Sequence, residues 1–216
     1  MLVGIVGFRG AGKNTIGKQL VDKCEYITDA FANSLKDAAA NIFGWERAML
    51  EGDTKESRFW RAQADRFWSE KLGIRNFTPE MALQWLGTEG CRKVFGEDIW
   101  VSTVERRWIN ADKPKTVIPD CRFKNEIEFI RKNKGKVIRV DREPEPHWFQ
   151  LVLWANKGMA DRDDLSELRQ MRSSGMVPHE SETAWIGCSV DEIIDNFGTL
   201  EELAAKVDIV IKRLGL

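Results

Sequence analysis

The chain lacks a net charge of either sign. Over 216 residues, 33 Lys and Arg stand against 34 Asp and Glu, a formal balance of −1. That excludes a basic coat for nucleic acid and an acidic disordered tail, and no direct nucleic-acid binding is expected. The chain also lacks any apolar run near the ~20 residues a membrane-spanning helix needs, so no membrane partner is expected. Its start, MLVGIVGFRG, has no basic stretch ahead of a long apolar one, and no signal peptide is expected. The four cysteines, Cys24, Cys91, Cys121 and Cys188, form no Cys-x-x-Cys pair. This argues against structural zinc and fits a reducing cytoplasm. Tyrosine is nearly absent, one residue against nine Trp. The tryptophan surplus suggests large flat packing surfaces, most of them core, with stacking on a ring-bearing ligand as the alternative. Internal repeats and low-complexity linkers are missing too. The length suits one domain, 1–216, with an inserted part.

What is present alternates between short apolar runs and helical periodicity. LVGIV at 2–6 reads as a buried parallel strand followed directly by glycines. Residues 13–23 read as a helix with Ile16 and Leu20 inward. A short strand follows at 25–28 and a helix at 34–43. Residues 58–72 read as one helix with an uneven stripe of Phe59, Trp60, Phe67 and Trp68. Thr78-Pro79 reads as a cap followed by proline at the first helical position, opening a helix that stops near Gly96. TVIP at 116–119 and KVIRV at 136–140 read as buried strands flanking a helix at 124–133. VDEIID at 190–195 reads as the last strand. Thr199 and Glu202 fit a capping box, so VDIVIKRL reads as the end of a final helix. Residues 142–182 mix Pro, Gly, Asp and Arg, with five Lys and Arg against eight Asp and Glu, and read as a mobile lid with few strongly apolar faces. The class expected is α/β: a three-layer sandwich with a five-stranded parallel sheet, helices on both faces and a lid insertion at about 142–182. Ligands of such sheets bind beyond the carboxyl ends of the strands, so the residues after Val6, Pro119 and Val140 should share one crevice.

Gly7 to Thr15, GFRGAGKNT, follows the first strand and opens a helix. This is the phosphate-binding loop G-x-x-x-x-G-K in its required context. Its glycines let backbone N–H groups curl inward, and the helix start favours an anion. Gly10, Ala11, Gly12, Lys13, Asn14 and Thr15 are the candidate ATP-phosphate residues, with Lys13 reaching the β- and γ-phosphates. Thr15 stands one place beyond the usual Ser/Thr, which is Asn14 here. Asp120, at the end of the TVIP strand, reads either as a carboxylate that organises Mg²⁺ together with Thr15 or as the cap of the helix after it. Arg122 suits phosphate with its planar fork. Glu126 reads as a partner for that arginine or for a ribose hydroxyl. For both, a solvated charge is the alternative. The chain lacks the Asn/Thr-Lys-x-Asp element of GTPases and is small for a motor, which leaves a kinase for a small molecule.

The fragments FANSLK (31–36), TPEMALQWLGTEGCR (78–92), EDIWV (97–101), PDCRFKNE (119–126), HESE (179–182) and IIDNFGTLEEL (193–203) occur in an order that resembles the deoxynucleoside monophosphate kinases of tailed bacteriophages. Phosphomevalonate kinases share a weaker version of the layout. The resemblance implies transfer of the γ-phosphoryl group of ATP, with Mg²⁺, onto a dNMP in the cytoplasm of a host cell. It implies an acceptor-binding helical region at about 31–108, and it is compatible with a homodimer. It implies acceptor contacts from Lys36, Gly87, Thr88 and Trp100, and from Asp120, Arg122 and Glu126 around the transferred group. Core packing is the alternative for Trp100. The family tends to have Thr-Pro-Arg where this chain has Thr78-Pro79-Glu80. An arginine there would bind the acceptor phosphate, so Arg92 or Arg58 and Arg61 are the candidates to replace it. Arg142, Arg162, Arg169 and Arg172 are lid candidates for ATP, with Arg142 and Arg172 preferred. His179 reads as a hinge or packing residue. A phosphomevalonate-like acceptor and a regulatory module that binds ATP without turnover are the competing functions.

Overall fold

The computed structural model describes residues 1–216. The chain divides into two units, Met1–Ala30 with Trp108–Leu216, and Phe31–Arg107.

The first unit is built on a five-stranded, all-parallel sheet of order β2-β3-β1-β4-β5. The strands are β1 (Leu2–Val6), β2 (Ile27–Thr28), β3 (Thr116–Ile118), β4 (Lys136–Asp141) and β5 (Glu192–Asp195). Its helices are α1 (Lys13–Cys24), α8 (Lys124–Lys132), α9 (Phe149–Asn156), α10 (Arg162–Ser173), the single turn α11 (Glu180–Thr183) and α12 (Leu200–Leu214). Every residue of β1 is buried. Because side chains alternate across a strand, Val3 and Ile5 join Ile16 and Leu20 of α1 and Leu203 and Val207 of α12 in one core. Gly4 turns the other way, where a Cβ would lie 2.3 Å from Ile130 Cδ1 of α8. The sheet is therefore covered on both faces, as a purely parallel sheet requires. Thr199 caps α12 and exchanges bonds with Glu202, and VDIVIKRL is helical as the periodicity indicates.

The segment 142–182 corrects one expectation, because it is not poor in apolar packing. Trp148, Phe149, Val152, Leu168 and Val177 are buried. Phe8 meets Trp148, Phe149 and Trp185 edge-on at centroid distances of 5.7, 6.2 and 5.2 Å. Apolar residues that look scattered along the chain converge on one aromatic cluster.

The second unit carries α2 (Asn33–Phe43), a 3₁₀ turn (Arg47–Leu50), α3 (Lys55–Arg61), α4 (Arg66–Leu72), α5 (Pro79–Gln84), a π-helical stretch (Trp85–Arg92), α6 (Lys93–Phe95) and most of α7 (Ile99–Asn110). Its core gathers Ala39, Trp45, Leu50, Phe77, Ala82 and Leu83. The single helix expected over 58–72 is two. Asp65 ends the run by capping α4 through Trp68 N–H at 2.9 Å, while its other oxygen accepts from Trp45 Nε1 at 2.8 Å. Phe59 and Phe67, two residues of the uneven apolar stripe, are exposed. Thr78 caps α5 by accepting from Met81 N–H, with Pro79 at the first helical position, as the sequence indicates. The helix it opens then widens into the π form before ending at Gly96.

Candidate active site

The loop between β1 and α1 has the backbone that its glycines permit. Gly7 has φ +141°, and a Cβ there would lie 2.4 Å from the Val140 carbonyl oxygen. Gly12 has φ +105°, and a Cβ there would lie 2.5 Å from Asn196 Nδ2. Neither position admits a side chain. Gly12 is also the N-cap of α1 and supplies no side-chain acceptor. No side chain therefore caps the first N–H groups of this twelve-residue helix, and an uncapped helix start of this kind favours an anion. Asn14 and Thr15 stand exposed in that first turn.

Lys13 Nζ folds back and donates to the carbonyls of Gly7 and Phe8, both at 2.8 Å. Burial lowers its pKa to about 8, assisted by the Arg122 cation and opposed by the carboxylates of Glu182 and Asp120. Lys13, Arg122, Glu182 and Asp120 therefore share one electrostatic neighbourhood at the carboxyl ends of β1 and β3. That is where the sheet topology puts a ligand. Arg122 forms an ion pair with Glu182 through Nη1, which also reaches the Ser181 carbonyl at 3.5 Å. Arg142 Nη1 touches the Gly10 carbonyl at 3.3 Å.

Two alternative readings change here. Asp120 is not the cap of the following helix. Phe123 holds the N-cap position, and Glu126 closes the turn by accepting from the N–H groups of Arg122 and Phe123 at 2.7 and 3.0 Å. Glu126 is accordingly buried and holds the loop backbone. Arg172 lies elsewhere in the unit. It donates from Nη2 to Thr183 Oγ1 at 3.4 Å and lines a cavity of about 450 Å³ with Gly175, Val177, Pro178, His179 and Glu180. None of these belongs to the phosphate loop. His179 caps α11 through Nδ1, which accepts from Ser181 N–H at 3.2 Å.

In the second unit Gly87, Thr88 and Arg92 lie on the π-helical stretch. Such stretches are rare and recur at functional sites. Trp100 donates from Nε1 to the Gly87 carbonyl at 3.0 Å and is 7% exposed. Arg92 is 4% exposed and donates to the Glu97 carbonyl at 2.8 Å. Lys36 pairs with Glu51 at 2.5 Å, and Arg58 donates to the Asp53 carbonyl at 2.9 Å, so both side chains converge on residues 51–53. Glu80 sits in the first turn of α5.

Two residues of the first-unit site went unnoticed in the sequence. Glu182 lies within the HESE fragment, but its relation to Arg122 spans 60 residues. Asn196 follows β5 and donates from Nδ2 to the Ala11 carbonyl at 2.8 Å. A polar residue just past the carboxyl end of a parallel strand was the available signal.

No family model matches the chain. A protein of Acanthamoeba polyphaga mimivirus, named as a deoxynucleotide monophosphate kinase, is 29% identical over 154 residues, 66% of this chain and 74% of its own. The deoxynucleoside-5'-monophosphate kinase of Escherichia phage T5 is 28% identical over 180 residues, 61% of this chain and 72% of its own. This chain is similar to viral kinases of deoxynucleoside monophosphates. Among solved structures, the dephospho-CoA kinase of Campylobacter jejuni covers 98% of this chain and 96% of its own at 13% identity and a TM-score of 0.43. No helix is long and apolar enough to cross a membrane.

Proposed function

We propose that this protein is an ATP-dependent deoxynucleoside monophosphate kinase that converts a dNMP to its diphosphate. The observation that carries this reading is the grouping of Lys13, Asp120 and Arg122 about a glycine loop that opens an uncapped helix. It stands beside the sequence similarity to two viral proteins named for that activity. Backbone N–H groups of Gly10 to Thr15 bind the polyphosphate. Lys13 leaves the Gly7 and Phe8 carbonyls for the β- and γ-phosphates, gaining a charged partner for a neutral one. Arg122 sets its fork against the transferred phosphoryl group. Transfer between phosphates gives the protein little covalent work, so positioning and charge neutralisation supply the rate. The acceptor phosphate is already anionic, and no general base is required.

The hydroxyl of Thr15 and the carboxylate of Asp120 are hard oxygen donors of the kind that Mg²⁺ takes, with water and phosphate as its remaining ligands. Bound there, Mg²⁺ would neutralise charge on the β- and γ-phosphates. Arg142, against the Gly10 carbonyl, and Arg172 are the lid arginines assigned to ATP. Lys36, Arg58, Glu80, Gly87, Thr88, Arg92 and Trp100 are assigned to the acceptor nucleotide. Lys36, Arg58 and Arg92 are the cations assigned to its phosphate, Lys36 from its pair with Glu51 and Arg92 from its contacts with Glu97, and Glu80 would repel it. The four free cysteines fit work in a reducing cytoplasm.

The test is a panel of dGMP, dTMP, dCMP and phosphomevalonate with ATP and Mg²⁺. Diphosphate formation from any of the dNMPs, lost in Lys13→Ala without loss of fold, is the expected result. Transfer to phosphomevalonate alone would move the protein to the other kinase class. ATP binding with no transfer to any acceptor would make it a regulatory module.

A further inference from the structure

Arg122 is held at both ends. Its backbone N–H is fixed by Glu126 at 2.7 Å, and its guanidinium is held by Glu182. Of the guanidinium nitrogens, Nη1 carries the hydrogen bonds to protein, and Nε and Nη2 can serve an anion. Glu182 is itself tightly mounted. His179 caps its short helix, and its own carbonyl accepts from Trp185 Nε1 at 2.9 Å. The next residue, Thr183, is fully buried, and its carbonyl accepts from Asn156 Nδ2 at 3.0 Å. Trp185 packs edge-on against Phe8 of the phosphate loop at 5.2 Å, and the Phe8 carbonyl accepts from Lys13.

We propose that Glu182 is a positioning residue for phosphoryl transfer: it pins one nitrogen of Arg122 and so aims the open side of the guanidinium at the phosphate loop. The pair is half-exposed, and a half-exposed ion pair on an ordinary surface contributes little. This one differs in its surroundings. Its charge is felt at Lys13 together with those of Arg122 and Asp120, and it opposes there the repulsion that the Arg122 cation exerts on the lysine. Rigid mounting through Trp185 and Phe8 ties the position of Glu182 to that of the loop it serves. The gain is in geometry during transfer and not in ground-state attraction, because a carboxylate beside a polyphosphate opposes binding.

This inference rests on the kinase reading, and a double-mutant cycle of Glu182→Gln and Arg122→Ala tests it separately. Glutamine keeps the shape and one acceptor while removing the charge. Glu182→Gln should lower kcat about 10- to 100-fold, the scale of losing an aligned contact. Its affinity for ATP, read by calorimetry, should be equal to or tighter than that of the wild-type protein. In the Arg122→Ala background, Glu182→Gln should change kcat by no more than about twofold, because the two residues act as one unit. An equal loss of kcat in both backgrounds, or weakened ATP binding with kcat unchanged, would overturn the proposal. If the wild-type protein phosphorylates no dNMP, the acceptor assignment fails by itself. The same cycle is then read on hydrolysis of ATP, where the transferred group is the same.

Discussion

Asn196 donates its side-chain amide to the carbonyl of Ala11 at 2.8 Å, so a residue beyond the last strand holds the middle of the phosphate loop. Its own backbone N–H donates to the Asp141 carbonyl at 2.6 Å, which ties this contact to the end of β4. Asn196 is 8% exposed, so the bond is shielded from water. Asn196→Ala should cost about 1–2 kcal/mol in thermal or denaturant unfolding, the range for a buried hydrogen bond whose partner stays behind. It should also weaken ATP binding several-fold, because the loop loses the contact that fixes its curvature. ATP affinity equal to that of the wild-type protein would reduce Asn196 to a packing residue.

The only tyrosine offers a direct pH measurement. Tyr26 is buried, and its hydroxyl is in contact with no hydrogen-bond partner. Burial pushes its pKa up to about 12, with the nearby Cys24 adding to the shift. The sign follows from linkage. Between pH 10 and 12 the unfolded chain loses the phenolic proton while the folded chain keeps it, so stability falls as pH rises through that window. Phenolate absorbance of the native protein should titrate near pH 12, and that of the denatured protein near the ordinary value. Tyr26→Phe should lack the alkaline loss of stability. A native titration at the ordinary tyrosine pKa would show that the ring is reached by solvent.

The parts of the fold and site visible in the sequence are those set by local chemistry. The phosphate loop declares itself because a buried strand, glycines and a helix start are contiguous from Leu2 to Thr15. The caps at Thr78 and Thr199 are bonds across three residues, and both form as their spacing indicates. The break at Asp65 is hidden because the apolar spacing of Phe59 to Trp68 runs through it, and the bond that makes the break useful comes from Trp45, 20 residues away. The π-helical stretch carries no periodic signature of its own. Glu182 and Asn196 reach the site across 60 and 185 residues, so only the folded sheet brings them to it.

Residues 142–182 divide by burial into a part that should move and a part that should not. In α9, Phe149 and Val152 are buried, and Trp148 ahead of it meets Phe8. In α10, Leu168 is the one buried residue. Local opening follows low burial. Without ligand, amides of α10 should exchange fast and those of α9 slowly. On adding an adenosine–polyphosphate–deoxynucleoside bisubstrate analogue, new protection should concentrate between Lys157 and His179. Unchanged exchange there would leave the segment as a fixed part of the first unit and remove the reading of a closing lid.

Trp100 separates two ways of recognising the acceptor. Its indole N–H is committed to the Gly87 carbonyl at 3.0 Å and its ring is 7% exposed. Gly87 is itself confined, since a Cβ there would lie 2.9 Å from Leu35 Cδ2. Stretches of π form recur at functional sites, and the Trp100 bond anchors one backbone carbonyl of this one. The role expected of Trp100 on this geometry is to hold Gly87, and with it the neighbouring Thr88, in place, and not to lend its face to a base. Trp100→Phe keeps an aromatic face but deletes the donor. It should lower stability by roughly 1–3 kcal/mol, from the lost bond and the smaller ring together. It should also raise KM for the deoxynucleoside monophosphate several-fold while leaving KM for ATP unchanged. A stacking role gives the opposite pattern, because phenylalanine still stacks and KM for the acceptor would stay the same. Steady-state kinetics with each substrate varied in turn, read beside the melting temperature, decides between them. Lost stability with both KM values unchanged would confine Trp100 to the core.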